Sequence, residues 1–357
     1  ALAKYRELDV AGGWPEIPSG ETLKPGMDDP RIPLIRKRLR ITEDYKIPNS
    51  ENGSVYDDDL ELAVKHFQAR HGLNPDGAIG KNTLEEMNVP VEKRIEQLIV
   101  NLERGRWVFR NISDHFIFVN IAAFYANYVK DNDIVWRARA QVGKDFRQTP
   151  IFKSELEYLV FNPTWTVPPT ILKKDVLPAI KKDRSYLQRK KMKVIDRKGT
   201  IIDPSSLDWG KYTSKNFPYM IRQDPGPHNA LGRIKFIFPN KHMVYLHDTP
   251  SKSLFDRESR AFSSGCIRIE APFELAEILL NDEVNWNLEK IDNQIKSQKT
   301  KTIHLNTSIP VLLFYATAFP AIDDDIVEFR KDIYNRDAAI LKGLREEFKR
   351  KKRHLSE

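Results

Sequence analysis

RAFSSGCIRIEAP, residues 260–272, holds Cys266, the single cysteine among 357 residues, directly after Gly265. A thiol attacks as thiolate, and with an ordinary pKa of about 8.5 only a few per cent is ionised at neutral pH. Such a group needs a base or a positive field beside it. His247 lies 19 residues upstream in VYLHDTP, at the end of an expected strand. A strand end and a later glycine-flanked turn can be neighbours across a sheet. The glycine would let the backbone approach closely enough for the Gly265 and Cys266 amides to face an oxyanion. A cysteine after glycine is also a common small buried hydrophobe, so spacing alone leaves both readings open.

Moving outward from this stretch, apolar residues alternate with period two. HFIFVNIAAFYANYVKDNDIVWRARAQVGK (residues 115–144) reads as successive strands with a polar turn at residues 131–133. LEYLVFNPTWTVP, GRIKFIFP and HMVYLHDTP continue the strand pattern up to the cysteine. APFELAEILLN then reads as a helix, and IHLNTSIPVLLFYATAF as a returning strand pair. Within this mostly-β region, residues 171–222 carry 14 Lys/Arg against 5 Asp/Glu and look partly helical. They account for the chain's net charge of +8. This is either a solvated basic insertion or a surface for an anionic polymer. No zinc-finger, helix-turn-helix or RRM signature accompanies it, so nucleic acid is not an expected partner.

Before the β region the pattern is helical. PLIRKRLRI is amphipathic, and Leu60, Ala63, Val64 and Phe67 recur at helical spacing in a helix that Gly72 is placed to stop. Thr83 falls near the start of a further short helix. Residues 89–106 form an expected linking helix with Val91, Ile95, Leu98, Ile99 and Leu102 on one face and Gly105 at its end. After Asp323, heptad repeats at Ile326, Ile333 and Ile340, and at Val327, Tyr334, Leu341 and Phe348, predict one long helix packed on the linking helix. No apolar run approaches the roughly 18 residues of a membrane span. The start, ALAKYRELDV, lacks a signal-peptide pattern and reads as trimmed. A single cysteine rules out an internal disulfide framework. His66 and His71 read as structural or surface groups, and no metal or other cofactor is expected.

Two resemblances sharpen these readings. Tyr56-Asp57, Ala63-Val64, Phe67-Gln68, His71-Gly72-Leu73, Asp76-Gly77 and Ile79-Gly80 resemble the type 1 peptidoglycan-binding domain. The block from His247 to Arg268 resembles the signature of the L,D-transpeptidase catalytic domain, also called YkuD: a histidine, a gap, then Ser263 at the Ser/Thr position, with Gly265 and Cys266 matching directly. Ser264 stands where many members carry a second histidine, and Arg268 where many carry asparagine. RAFSSGCIRI, the upstream binding domain and the basic insertion together resemble the large Gram-negative YcbB-type enzymes.

The implied architecture is multidomain α+β. It comprises an N-terminal scaffold segment (1–29), an all-α peptidoglycan-binding-like domain (30–88), a linking scaffold helix (89–110), a mostly-β YkuD-type catalytic domain (111–320) with a capping insertion (171–222), and a C-terminal helix (321–357). The resemblance implies a peptidoglycan L,D-transpeptidase that forms 3–3 cross-links through a cysteine acyl-enzyme and releases D-Ala. Its alternatives are an L,D-carboxypeptidase that trims tetrapeptides and a non-catalytic wall-binding scaffold; lipoprotein anchoring is disfavoured.

In that reading Cys266 is the nucleophile and His247 the general base and acid. The imidazole is oriented by a backbone carbonyl that the sequence does not identify. Gly265, Tyr245, Ser264 and Arg268 shape the site or its oxyanion hole, and Trp165, Tyr219, His228 and Asn229 are candidates for the substrate cleft. Expected partners are donor tetrapeptide stems and acceptor amines, glycan through residues 30–88, and cell-wall synthases. The expected location is the periplasm, with anchoring by a segment absent here.

Overall fold

The computed structural model describes residues 1–46, 53–108, 112–321 and 326–346. They form two compact units, residues 1–111 with 315–357 and residues 112–314.

The first unit is built on helices α1 (Leu2–Val10), α2 (Ile32–Ile41), α3 (Asp58–Arg70), α4 (Lys81–Met87) and α5 (Val91–Val108). Asp57 caps α3 by accepting from the Leu60 amide at 2.9 Å, and Gly72 follows its end with φ +71°. Ile32, Ile35 and Leu39 of α2 pack with Leu60, Val64 and Phe67 of α3, Ile79 and Met87. The Arg36 guanidinium is buried in the same unit and bonds the Tyr45 hydroxyl, the Val55 carbonyl and Asp57. His66 pairs with Asp44, and His71 stacks on Phe67 and Phe329.

Two helical expectations fail here. Helix α5 does not end at Gly105 but runs on to Val108. A glycine inside a helix costs only about 1 kcal/mol, which the packing of Val91, Leu98 and Val100 outweighs, while Leu102 faces solvent. Nor is the C-terminal segment one long helix. Val327–Phe329 is a strand paired antiparallel with Ala318–Pro320, and the helix spans only Asp337–Arg345. Val327 and Phe329 alternate inward with period two, and Asn335 turns the chain at φ +53°. The sevenfold repeat was a coincidence of a strand, a turn and a short helix. That helix does pack on α5, through Arg104–Asp337 at 2.6 Å and Arg345–Glu96 at 2.8 Å. Phe348 lies outside the described residues.

The second unit carries strands β1 (Phe116–Asn120), β2 (Tyr125–Lys130), β3 (Asp133–Gly143), β4 (Phe152–Phe161), β5 (Trp165–Thr166), β6 (Met192–Ile195), β7 (Ile201–Ile202), β8 (Met220–Gln223), β9 (Ile234–Ile237), β10 (Leu246–His247), β11 (Ala261–Ser263), β12 (Ile267–Ile269) and β13 (Lys301–Phe314). Nine of them lie in the order β11-β3-β12-β10-β9-β4-β13-β1-β2, and β2 also pairs with β3, so the sheet closes on itself. The turn between β2 and β3 places Asp131 and Asn132 at φ +54° and +69°, the left-handed pair that suits a tight hairpin. The apolar stretch near the C-terminal end of the sheet is one 14-residue strand, β13, with an irregularity between His304 and Ile309, not a strand pair within this sheet. The helix expected after the cysteine spans Pro272–Leu280.

The basic insertion is more ordered than its composition announces. β5, β8, β6 and β7 form a separate four-stranded sheet in that order. Helical segments between Pro169 and Arg189 cover it, with Val176, Leu177, Ile180 and Leu187 packed on Trp165, Val194 and Ile221.

Candidate active site

The parallel pairing of β10 with β12 sets the geometry. Leu246 lies opposite Ile267 and His247 opposite Arg268, and the Ile267 amide donates to the Tyr245 carbonyl at 3.1 Å. Side chains alternate along a strand, so Tyr245, His247, Cys266 and Arg268 project from one face. Cys266 sits beside Tyr245 and diagonal to His247, one strand across. Such diagonal neighbours are within reach of long and aromatic side chains. The Tyr245 and His247 rings meet edge to face at 5.7 Å.

His247 is only 4% exposed, and its Nδ1 lies 2.5 Å from the Asp248 carbonyl oxygen. A carbonyl can only accept, so this contact puts a proton on Nδ1, and the Leu231 backbone also bonds the ring. Burial, aided by the charges of Arg268 and Lys235, lowers the imidazole pKa to about 3. Lys235 stands opposite His247 across β9 and β10, and burial lowers its own pKa.

Asp248 is itself braced. Its carboxylate accepts from the Arg233 amide at 2.8 Å and from Lys252 Nζ at 2.5 Å. It also crowds Gly232, at φ +64°, so closely that an added Cβ would lie 2.3 Å from a carboxylate oxygen.

Cys266 is half-buried between β11 and β12. Burial pushes its pKa up, while the Tyr245 amide and hydroxyl and the Arg268 charge oppose the rise. Burial, together with the sulfur beside it, raises the pKa of the Tyr245 hydroxyl in turn. The resting pair is therefore neutral thiol and neutral imidazole. Since the thiol, beside Tyr245 and Arg268 and 3.7 Å from the Met243 carbonyl oxygen, is protonated at neutrality, alkylation of Cys266 by iodoacetamide is expected to be slower at pH 7 than that of free cysteine. Its rate should still be climbing at pH 9; a plateau below pH 8, read by mass spectrometry of the alkylated chain, would contradict this.

The cysteine loop is held from below. Gly265 has φ +119°, a conformation that side chains disfavour. Its amide donates to Ser263 Oγ at 3.0 Å, and that hydroxyl donates to the Cys266 carbonyl at 2.6 Å. The Gly265 amide is thus occupied, which corrects its assignment as an oxyanion donor. The Cys266 amide meets no acceptor among the described residues. The fully buried Thr149 hydroxyl donates to the Gly265 carbonyl at 2.9 Å and accepts from the Gly143 amide at 2.9 Å. Ser264 Oγ accepts from Arg147 at 2.9 Å. Arg268 donates through Nη1 to the Gln141 side chain at 3.1 Å, and its buried Nε meets no acceptor among the described residues.

The four cleft candidates divide differently. Trp165, 9% exposed, belongs to the core of the insertion, and Tyr219 packs in an aromatic cluster with Tyr212 and Phe217. Asn229 is 1% exposed; its amide donates to the Pro163 and Asp224 carbonyls and its oxygen accepts from the Leu231 amide. His228 is exposed, and its carbonyl accepts from Gln223. Trp165 and Asn229 therefore act in packing and loop closure, because neither offers a free polar surface. Sequence reading missed Asp248, Gly232, Thr149 and Arg147. A weak signal existed for the last two: GKDFRQTP is a polar loop at the end of a buried strand. Among the described residues no cluster of three or more His, Cys, Asp or Glu is arranged to hold a metal, and no helix is long and apolar enough to cross a membrane.

Residues 114–301 match the YkuD family, described as "L,D-transpeptidase catalytic domain". The chain belongs to the L,D-transpeptidase family. Residues 28–87 of this L,D-transpeptidase-family chain match the "Putative peptidoglycan binding domain" model. A "Putative L,D-transpeptidase" of Haemophilus influenzae is 37% identical over 259 residues, covering 71% of this chain and 51% of the relative. The chain thus spans about half the length of that relative.

Among solved structures, an L,D-transpeptidase of Stackebrandtia nassauensis is 12% identical with a TM-score of 0.31, over 82% of this chain and 94% of that one. One from Mycobacterium smegmatis is 11% identical with a TM-score of 0.27, over 56% and 58%. At those scores the superpositions add nothing to the geometry of this family member's site.

Proposed function

We propose that the chain is a peptidoglycan L,D-transpeptidase acting through Cys266. His247 Nε2 takes the thiol proton as the sulfur attacks the carbonyl of the third residue of a tetrapeptide stem. The C–N bond to the terminal D-Ala breaks, and the imidazolium returns its proton to the leaving amine. An amine on a second stem then attacks the thioester, loses a proton to His247 and releases the thiolate, which regains the proton, leaving a 3–3 cross-link. The Cys266 amide and the Tyr245 hydroxyl stabilise the tetrahedral oxyanion, and the Asp248 carbonyl keeps the imidazole in the working tautomer.

The observation that carries this reading is the shared face of Tyr245, His247, Cys266 and Arg268, built by the β10–β12 register. The lowered pKa keeps the imidazole neutral and able to accept a proton at neutral pH, while burial of both groups opposes the charge separation that the transfer creates, so the proton must move together with sulfur attack. Glycan contact through residues 28–87, a periplasmic location and association with wall synthases belong to the same proposal.

Product analysis tests it. Wild-type protein and Cys266→Ala would be incubated with disaccharide-tetrapeptide muropeptides and the products weighed by mass spectrometry. D-Ala loss with cysteine-dependent dimers is the expected result. Tripeptide monomers alone would instead make the chain an L,D-carboxypeptidase. No cysteine-dependent change would leave a wall-binding scaffold.

A further inference from the structure

We propose that Arg147 is a positioning residue that joins the insertion to the nucleophile loop, so that the seating of the insertion sets the reactivity of Cys266. The kinetic half of this inference rests on the transpeptidase reading above; the structural half does not. Arg147 lies in the loop between β3 and β4. Its guanidinium grips Asp175 with both terminal nitrogens, at 2.6 and 2.9 Å, while Nη1 also donates to Ser264 Oγ at 2.9 Å. Asp175 belongs to the insertion, and Ser264 is two residues before the nucleophile. One side chain therefore touches both bodies.

Several observations separate this contact from an ordinary surface ion pair, which is worth little. The Arg147 side chain is only 13% exposed, and its buried Nε meets no acceptor among the described residues. The two-nitrogen grip on a carboxylate is the geometry in which arginine is strongest and most directional. The bond to Asp175 accordingly raises the pKa of Arg147.

Asp175 sits in a single wide turn of π-helix, Leu172–Val176, a rarity that recurs at functional positions. The rest of the Arg147 loop is tied to the same target. The Lys144 amide donates to the Ser263 carbonyl at 3.1 Å, and the Thr149 hydroxyl to the Gly265 carbonyl at 2.9 Å. Residues 263, 264 and 265 are each held once by this loop, and Arg147 is the member that reaches on to the insertion. The insertion core in turn packs against Tyr245, whose hydroxyl borders the sulfur. Movement of the insertion is thereby linked to the thiol by two routes.

The test is a double-mutant cycle on the full chain with Arg147→Ala, Asp175→Ala and the pair. Two rates are read: iodoacetamide alkylation of Cys266, and D-Ala release from a tetrapeptide muropeptide. Unseating the insertion uncovers the thiol and misaligns it, so alkylation should rise about tenfold while kcat falls about tenfold, since small misplacements of reacting groups carry such costs.

The double variant should be no worse than either single one, because both remove the same connection. Arg147→Lys should fail to restore the rates, having lost the fork. Asp175→Asn, at a half-exposed side chain, provides a variant that keeps its shape and should show the same pair of changes. Melting temperatures would be recorded alongside, to separate these effects from unfolding. Unchanged rates in Arg147→Ala or Asp175→Asn, or effects that multiply in the pair, would overturn the inference. The alkylation arm needs no substrate, so a chain inactive on muropeptides would defeat the proposed reaction and leave this inference to the thiol rates.

Discussion

His247→Gln is expected to lower D-Ala release by about 10³–10⁴-fold while the chain remains folded, the scale of loss seen when a base is removed from a nucleophile–base pair. The position is buried, and its ring holds the Asp248 carbonyl at 2.5 Å. Glutamine can donate to the same carbonyl and fill most of the space, so packing loses little. It cannot accept the thiol proton at neutral pH. The sulfur would then have to ionise alone, against the burial that already raises its pKa. The measurement is D-Ala release, with a thermal melt on the same preparation. A variant within tenfold of wild type would show that the imidazole is not the base.

Gly143→Ala should damage the site by a different route and cost stability as well. An added Cβ would lie 2.1 Å from the Arg147 carbonyl oxygen and 2.8 Å from the Thr149 amide nitrogen. Both are backbone atoms, so no side chain can swing aside. The loop of residues 144–149 must shift, and with it the bonds from Lys144, Arg147 and Thr149 to residues 263–265. Overpacking of this kind costs roughly 1–3 kcal/mol, and more where backbone must move. The upper end of that range, about 3 kcal/mol, is expected from denaturant unfolding, together with at least a hundredfold loss of D-Ala release, in keeping with the penalty for small displacements of reacting groups. An alanine variant with wild-type midpoint and rate would mean that the loop relaxes at no cost.

The sequence made the barrel legible because a sheet with one buried face imposes a period of two, and β3 and β4 keep it over part of their length. The spacing of Cys266 and His247 left a nucleophile–base pair and a buried thiol equally open, and it was the resemblance to the family signature that favoured the pair. The group that orients the imidazole was invisible because it is a backbone carbonyl, which every residue possesses. Arg147 and Thr149 act across 117 and 116 positions of chain, separations that no local pattern encodes.

The sheet of the insertion escaped because β5 and β7 are two residues long and β6 and β8 four, too short to show alternation amid so many lysines. Trp165 was misjudged for a related reason. An aromatic at the mouth of a loop reads as cleft lining unless one knows that the insertion has a core of its own. Likewise the C-terminal repeat could not announce that pairing with residues 318–320 would win over helix formation.

The pairing of β5 with β8 sets Trp165 opposite Gln223 and Thr166 opposite Arg222. The chain thus leaves for the insertion and comes back at a single doorway. In genetic terms the intervening segment is a cassette: it carries its own hydrophobic filling and joins its host through two adjacent ends. A short splice between those ends closes the gap, so exchange, shortening or enlargement of the cassette leaves the register of the ring intact. Diversity among chains built on this plan is accordingly expected to accumulate there, and a swapped cassette needs to carry two obligations across, a carboxylate for Arg147 and an apolar surface that packs on Tyr245.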